Sequence, residues 1–151
     1  MEVISNHNWA LTVGTFLPLV GVLIMLFIPK AEEALIKSVA IATAIATLAV
    51  GIYTMVQFDF GNAGSMQFVA QHDWISVIKS SYYIGIDGIS LPLYLLSMVI
   101  TVLVMIYSWD HVPSPGNPKA FFILMLILQT GMAGTFIARD LILFFVFFEL
   151  V

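Results

Sequence analysis

A chain of 151 residues that is 61% hydrophobic and 9% charged reads as an integral membrane protein, because soluble domains carry about 25% charged residues. Its formal charge of −4 is small and scattered, so it offers no basic surface for nucleic acid. Cysteine is absent, which removes disulfides, iron–sulfur ligation and thiolate metal sites. His7, His72 and His111 stand far apart and outside the apolar runs, so no haem or zinc set is expected from this chain.

The start Met1-Glu-Val-Ile-Ser lacks the basic region of a cleaved signal peptide. The first apolar stretch is therefore expected to remain as a span. It runs over about 9–29 without a charge, has Trp9 as an interfacial anchor and Pro18 as a bend, and ends at Pro29-Lys30. A short polar link with Lys30, Glu32, Glu33 and Lys37 leads to a second span over 38–58. There the Ala42-xxx-Ala46 spacing would allow close helix approach. The long connection from Asp59 to Gly88 mixes glycines with short apolar islands interrupted by Asp73 and Lys79. Short β-type or interfacial pieces fit it better than a span.

A third span is expected over 89–109, again without charge. Asp87 precedes it and is placed to cap it, its carboxylate accepting orphan amide hydrogens at the positive end of the helix dipole. A loop with three prolines, Pro113, Pro115 and Pro118, leads to a fourth span over 120–138. Gln129 lies within that span and is expected to make an interhelical hydrogen bond. Arg139-Asp140 forms a tight link, read either as an adjacent ion pair or, preferably, as a turn whose Asp140 caps the fifth helix. That helix begins at 141.

The fifth run contains one carboxylate, Glu149, in Phe144-Phe-Val-Phe-Phe-Glu149-Leu-Val151. Counted from Leu141, it lies roughly 12 Å into the helix at about 1.5 Å per residue. That is near the middle of a hydrocarbon core about 30 Å thick. An ionisable group at that depth costs about 2.5–3.5 kcal/mol on insertion scales and by default marks a functional site with a partner. A carboxyl there is neutral when alone and ionised beside a cation, the switching that a proton relay needs. The plainer reading is a glutamate that only hydrogen-bonds inside a polar bundle. Arg139 and Lys119 flank the preceding span rather than reach this depth, so the partner is sought outside the 151 residues. A helix ending in lipid with unpaired carbonyls also suggests an N-terminal fragment of a larger polytopic protein.

The expected fold is all-α: a polytopic transmembrane bundle of four full helices and the start of a fifth, forming one membrane domain over 1–151. The lysine distribution, with Lys30, Lys37 and Lys119 on one side against Lys79 and Arg139 on the other, places the first and third loops in the cytoplasm.

Asp140-Leu-Ile-Leu-Phe-Phe-Val-Phe-Phe-Glu149 resembles the fifth-helix signature of the antiporter-like membrane subunits of respiratory complex I, the NADH-quinone oxidoreductase. Tyr83-Ile-Gly-Ile-Asp87-Gly-Ile-Ser90-Leu is similar to the entry of that family's third helix. Gln71-His-Asp-Trp74-Ile resembles the segment before it, which the family folds as a hairpin on the outer face. Phe148-Glu149-Leu150 is closer to the chain M (subunit 4) branch than to the Trp-Glu-Gly of the subunit L branch. The resemblance covers essentially the whole chain.

It implies that Glu149 corresponds to an essential glutamate that pairs with a lysine on a later helix and couples distant redox chemistry to proton movement. It further implies partnership with the other membrane-arm subunits, and no cofactor in this chain. NADH, FMN, iron–sulfur clusters and the quinone site would belong to partner subunits. The location implied is the bacterial plasma membrane or its mitochondrial inner or thylakoid equivalent. Two other readings are a subunit of a multisubunit cation/proton antiporter and a small membrane scaffold that transports nothing.

Overall fold

Four charge-poor runs become helices because a backbone in lipid must satisfy its own hydrogen bonds. In a computed structural model describing residues 7–112 and 115–151, they are α1 (Trp9–Phe27), α2 (Glu33–Gln57), α3 (Ser90–Tyr107) and α4 (Pro118–Ile137). Each is long and apolar enough to cross a membrane. A fifth, α5 (Leu141–Leu150), is shorter. Pro113 of the third loop lies outside the described residues, as do the first six positions.

Two helix starts differ from the sequence reading. α2 begins at Glu33 rather than at residue 38, because no proline or glycine interrupts the polar link and an acidic first turn suits the helix dipole. α4 begins at Pro118 itself. Proline has no amide hydrogen to lose at the first helical position and its φ is already helical. Asn117 caps that end, accepting from Ala120 N at 3.2 Å.

Apolar burial cannot drive helices together in lipid, so close approach and packing must do it. The packed face of α2 carries Ala40, Ala44, Thr47, Gly51 and Thr54. Ala42 and Ala46 lie off that face, Ala46 being exposed, so the expected small-residue contact is displaced. The close approach of α1 to α2 is made instead by Gly21, where an added Cβ would stand 2.5 Å from Thr43 Oγ1. The hydroxyls of Thr43, Thr47, Thr54 and Thr101 donate to carbonyls four residues back at 2.7–3.0 Å. The helices therefore carry these hydroxyls without exposing a polar group to hydrocarbon.

The long connection folds as a hairpin. β1 (Gln67–Ile75) and β2 (Ser80–Ile86) pair antiparallel, with Gln71 opposite Tyr83 and His72 opposite Tyr82. Phe68 adopts φ 54° where the register shifts between Gln67 and Ala70, and this bulge turns its ring into the core, 3% exposed. The hairpin closes one end of the bundle. Phe68, Ala70, Ile84 and Ile86 pack with Leu11, Leu91, Tyr94 and Ile137, and Tyr82 Oη meets Thr12 Oγ1 of α1 at 3.0 Å. Trp9 stacks on Tyr53 at the same end.

Lysines tie the opposite end. Lys119 Nζ donates to Leu26 O at 3.0 Å in the last turn of α1 and to Ile28 O at 2.7 Å just past it. Lys37 Nζ donates to Trp109 O at 2.7 Å, just past α3. Each cation thus meets carbonyls at the negative end of a neighbouring helix.

Candidate functional site

At the hairpin end, α4 ends and α5 begins within three residues, Ala138 to Asp140. The corner is held by backbone pairing to β2: Arg139 N donates to Tyr83 O at 2.8 Å, and Ile84 bridges to Ala138. The Arg139 side chain then reaches the end of β2 and the start of α3. Its Nε donates to Gly85 O at 3.1 Å and its Nη2 to Ser90 Oγ at 3.0 Å. Nη2 also lies 3.4 Å from Asp87 Oδ2. The cation of the Arg139-Asp140 link therefore pairs with Asp87 across the corner and not with its sequence neighbour.

Asp87 heads the turn that leads into α3. Its Oδ1 accepts from Ile89 N at 3.1 Å, from Ser90 N at 2.8 Å and from the Ser90 hydroxyl at 2.7 Å. The Ser90 hydroxyl in turn faces Asp87 N at 3.1 Å, which is the reciprocal geometry of a capping box. Asp87 as a cap for α3 was legible in the sequence; Ser90 as the hinge between Asp87 and Arg139 was not. Burial pushes the Asp87 carboxyl up, but the Ser90 and Ile89 hydrogen bonds and the Arg139 charge together hold it below its usual value.

Asp140 stands at the other side of the corner. Its Oδ1 accepts from Ile142 N and Leu143 N, each at 3.0 Å, and from the Ser80 hydroxyl at 2.9 Å. The Ser81 amide reaches Oδ2 at 3.2 Å. These hydrogen bonds, led by that from Leu143, hold the Asp140 carboxyl below its ordinary range despite partial desolvation. Ser80 and Ser81 carried no sequence signal, because strand pairing alone brings them to this carboxylate.

A folded-state pKa below the unfolded one gives stability that is complete above about pH 4 and lost as pH falls through the folded value. The hairpin amides should accordingly lose hydrogen-exchange protection as pH drops from about 5 to about 3. An Asp87→Asn, Asp140→Asn double variant should show a flat profile over that range. Wild-type acid dependence in the double variant would remove the carboxylates from this role.

Glu149 occupies the outward side of α5. The helix packs on α4 through Leu143 and Phe147, its only buried residues, and Phe147 sits on Gly134, where a Cβ would overlap the ring. Two residues past Phe147 is about 200° around the helix, so the Glu149 carboxylate leaves α5 on the side away from α4. It is exposed there beside Phe145 and Phe148, and the buried setting expected for it is not supplied by α1–α4. Among the described residues, it has no ion-pair or hydrogen-bond partner within this chain.

Gln129 departs from expectation. It is fully buried in α4, yet among the described residues both its amide atoms lack a hydrogen-bond partner, as do the hydroxyls of Thr15, Tyr94 and Thr130. The expected interhelical bond is not formed. Gly14 leaves space for the Tyr94 hydroxyl, which lies where a Cβ would stand. Among the described residues, no three His, Asp or Glu side chains converge as a metal site would require.

A family model described as "NADH-ubiquinone oxidoreductase chain 4, amino terminus" matches residues 13–135. The NAD(P)H-quinone oxidoreductase chain 4-3 of Nostoc is 34% identical over 93% of this chain and 24% of its own length. The chloroplast NAD(P)H-quinone oxidoreductase chain 4 of Staurastrum punctulatum is 35% identical over 97% of this chain and 27% of its own. Subunit M of the F(420)H(2) dehydrogenase of Methanosarcina mazei is 34% identical over 70% of this chain and 21% of its own. The chain thus spans about a quarter of the length of the curated relatives it matches. With four helices able to cross a bilayer and a family match over most of its residues, this membrane protein belongs to the NADH-ubiquinone oxidoreductase chain 4 family.

Proposed function

We propose that the chain serves in the membrane arm of a quinone-reducing oxidoreductase complex, and that it takes part in proton translocation through Glu149. In this reading residues 1–151 are the amino-terminal part of one membrane domain. The observation that carries it is the setting of Glu149: an ionisable group about 12 Å along α5 from Leu141, exposed and directed away from α4. A carboxylate directed outward at that depth requires a partner, since the cost of an unpaired charge in hydrocarbon is several kcal/mol.

The names of the relatives support a division of labour. Two are named for NAD(P)H and quinone, a third for F(420)H(2). A chain retained with different electron donors fits a role downstream of the donor. NADH or its equivalent, FMN, iron–sulfur clusters and the quinone site belong to partner subunits in this reading, and Glu149 responds to the charge changes they produce. The surrounding residues then act electrostatically: Asp140 and Arg139 hold the start of α5, and Glu149 stabilises or releases a cation as its own charge changes.

The test is removal of the chain from its host, with membrane vesicles assayed for donor-driven quinone reduction and proton uptake. Loss of proton uptake, restored by complementation with the full-length gene, is expected. Vesicles that pump normally without the chain would exclude the assignment.

A further inference from the structure

The hairpin and α5 share one side chain. A plain N-cap needs only the first-turn amides, as at Asn117 of α4, which accepts from Ala120 N. Asp140 accepts from two such amides and also from Ser80 and Ser81, which lie 60 and 59 residues earlier in the chain. The backbone bond from Arg139 N to Tyr83 O doubles the link to the same strand. β2 is thereby joined to the point where α5 starts.

Beyond the corner α5 rests on α4 along one face: Leu143 and Phe147 are one turn apart, and Leu150 and Val151 reach Gly131. The register at the start of the helix decides which residues take that face. One residue of register at the start of a helix corresponds to about 100° of rotation and about 1.5 Å of rise. Glu149 lies nine residues after Asp140 on the same helix, so a change of register at the corner turns it together with the residues that face α4.

We propose that the junction of Asp140 with Ser80 and Ser81 is the positioning device for Glu149, through which the hairpin sets the direction in which that carboxylate leaves α5. Asp140 is a positioning residue: it touches no substrate and acts by fixing the start and rotation of the helix. The functional consequence rests on the reading of Glu149 as a relay, whereas the structural consequence does not.

Asp140→Asn separates the two tasks of the side chain. Its Oδ1 still accepts from Ile142 N and Leu143 N, but the amide nitrogen in place of Oδ2 meets Ser81 N donor to donor. Ser80→Ala removes the hydroxyl link alone. Asn117→Ala, which removes the cap of α4 at the far end, controls for general loosening. All are made in the full-length chain within its assembled complex.

The first readout is the infrared carboxyl stretch of Glu149, identified as the band that Glu149→Gln removes. The second is the proton-coupled rate per assembled complex. Asp140→Asn and Ser80→Ala are expected to shift the band and lower the rate about tenfold, since misplacement of a reacting group by about 1 Å is worth up to a hundredfold. Asn117→Ala should leave the band in place. If Glu149→Gln pumps like wild type while the band still shifts in Asp140→Asn, the relay reading fails and the positioning stands. An unmoved band in both hairpin-link variants, or an equal shift in Asn117→Ala, overturns the positioning.

Discussion

Glu149→Gln in the full-length protein is expected to abolish or strongly reduce proton-coupled quinone reduction while leaving the amount of assembled complex near wild type. The fold loses little because the side chain points away from α4 and touches none of the buried positions of the bundle. The amide keeps the volume and the hydrogen-bonding capacity. It cannot carry charge, and so it cannot stabilise a partner cation in one state and release it in another. Two unit charges about 4 Å apart interact by about 4 kcal/mol at an effective dielectric constant near 20. Removing that attraction changes the occupancy of the charged partner by up to about a thousandfold. Glu149→Asp retains the charge one methylene short of its reach and should keep partial activity. Glu32→Gln, on an exposed link at the opposite end, should pump normally. The measurement is proton uptake by membrane vesicles, normalised to assembled complex. Wild-type uptake by the Gln variant would leave Glu149 as a packing residue.

The second large effect is expected at Gly134. The Phe147 ring occupies the space a Cβ would take there, and at Gly131 an added Cβ would stand 2.9 Å from Val151 Cγ2. Gly134→Leu therefore pushes α5 off α4. Overpacking of a tight contact costs about 1–3 kcal/mol, and lipid supplies no hydrophobic force to hold the helices together. Assembled protein should fall severely, as judged by yield and thermal stability in detergent. Gly64→Ala, with nothing within 4 Å of the new methyl, should be silent. Combining Gly134→Ala with Phe147→Ala should restore assembly relative to Gly134→Ala alone. No recovery in the double variant would mean that the α4–α5 contact is not what the glycine preserves.

The spans were legible in the sequence because charge-free runs of membrane length leave a backbone no alternative to helix. The helix starts were less so. α2 extends back through Glu33 and Lys37 because charged residues at an interface do not stop a helix; only proline, glycine or a competing side chain does. The small-residue contact was misplaced from Gly21 to the Ala42 and Ala46 pair, since spacing alone does not reveal which face of a helix meets a neighbour. Short strands in the long connection followed from its apolar islands and interrupting charges, but their register did not. The bulge at Phe68 and the left-handed turn at Lys79 depend on residues without glycine freedom. Around the corner, Asp87, Arg139 and Asp140 stood out as isolated charges, whereas the pairing of Arg139 with Asp87 required two chain segments some fifty residues apart to meet. The partnerless amide of Gln129 had no sequence signal at all, because composition does not tell which polar group is left unmatched.

The way the charges divide between the ends of the bundle has an electrical consequence. At the loop end, Lys30, Lys37 and Lys119 meet Glu32, Glu33 and Asp110, a balanced set. At the hairpin end, Lys79 and Arg139 face Asp59, Asp73, Asp87 and Asp140, which leaves that surface negative. The excess acid of the described chain is thus gathered on the hairpin side and at Glu149, and the molecule carries a field along its own axis. Within about one Debye length, some 8 Å at physiological ionic strength, such a surface draws cations and protons above their bulk concentration. Of the two ends of the bundle, the hairpin side is the one at which protons are the more concentrated.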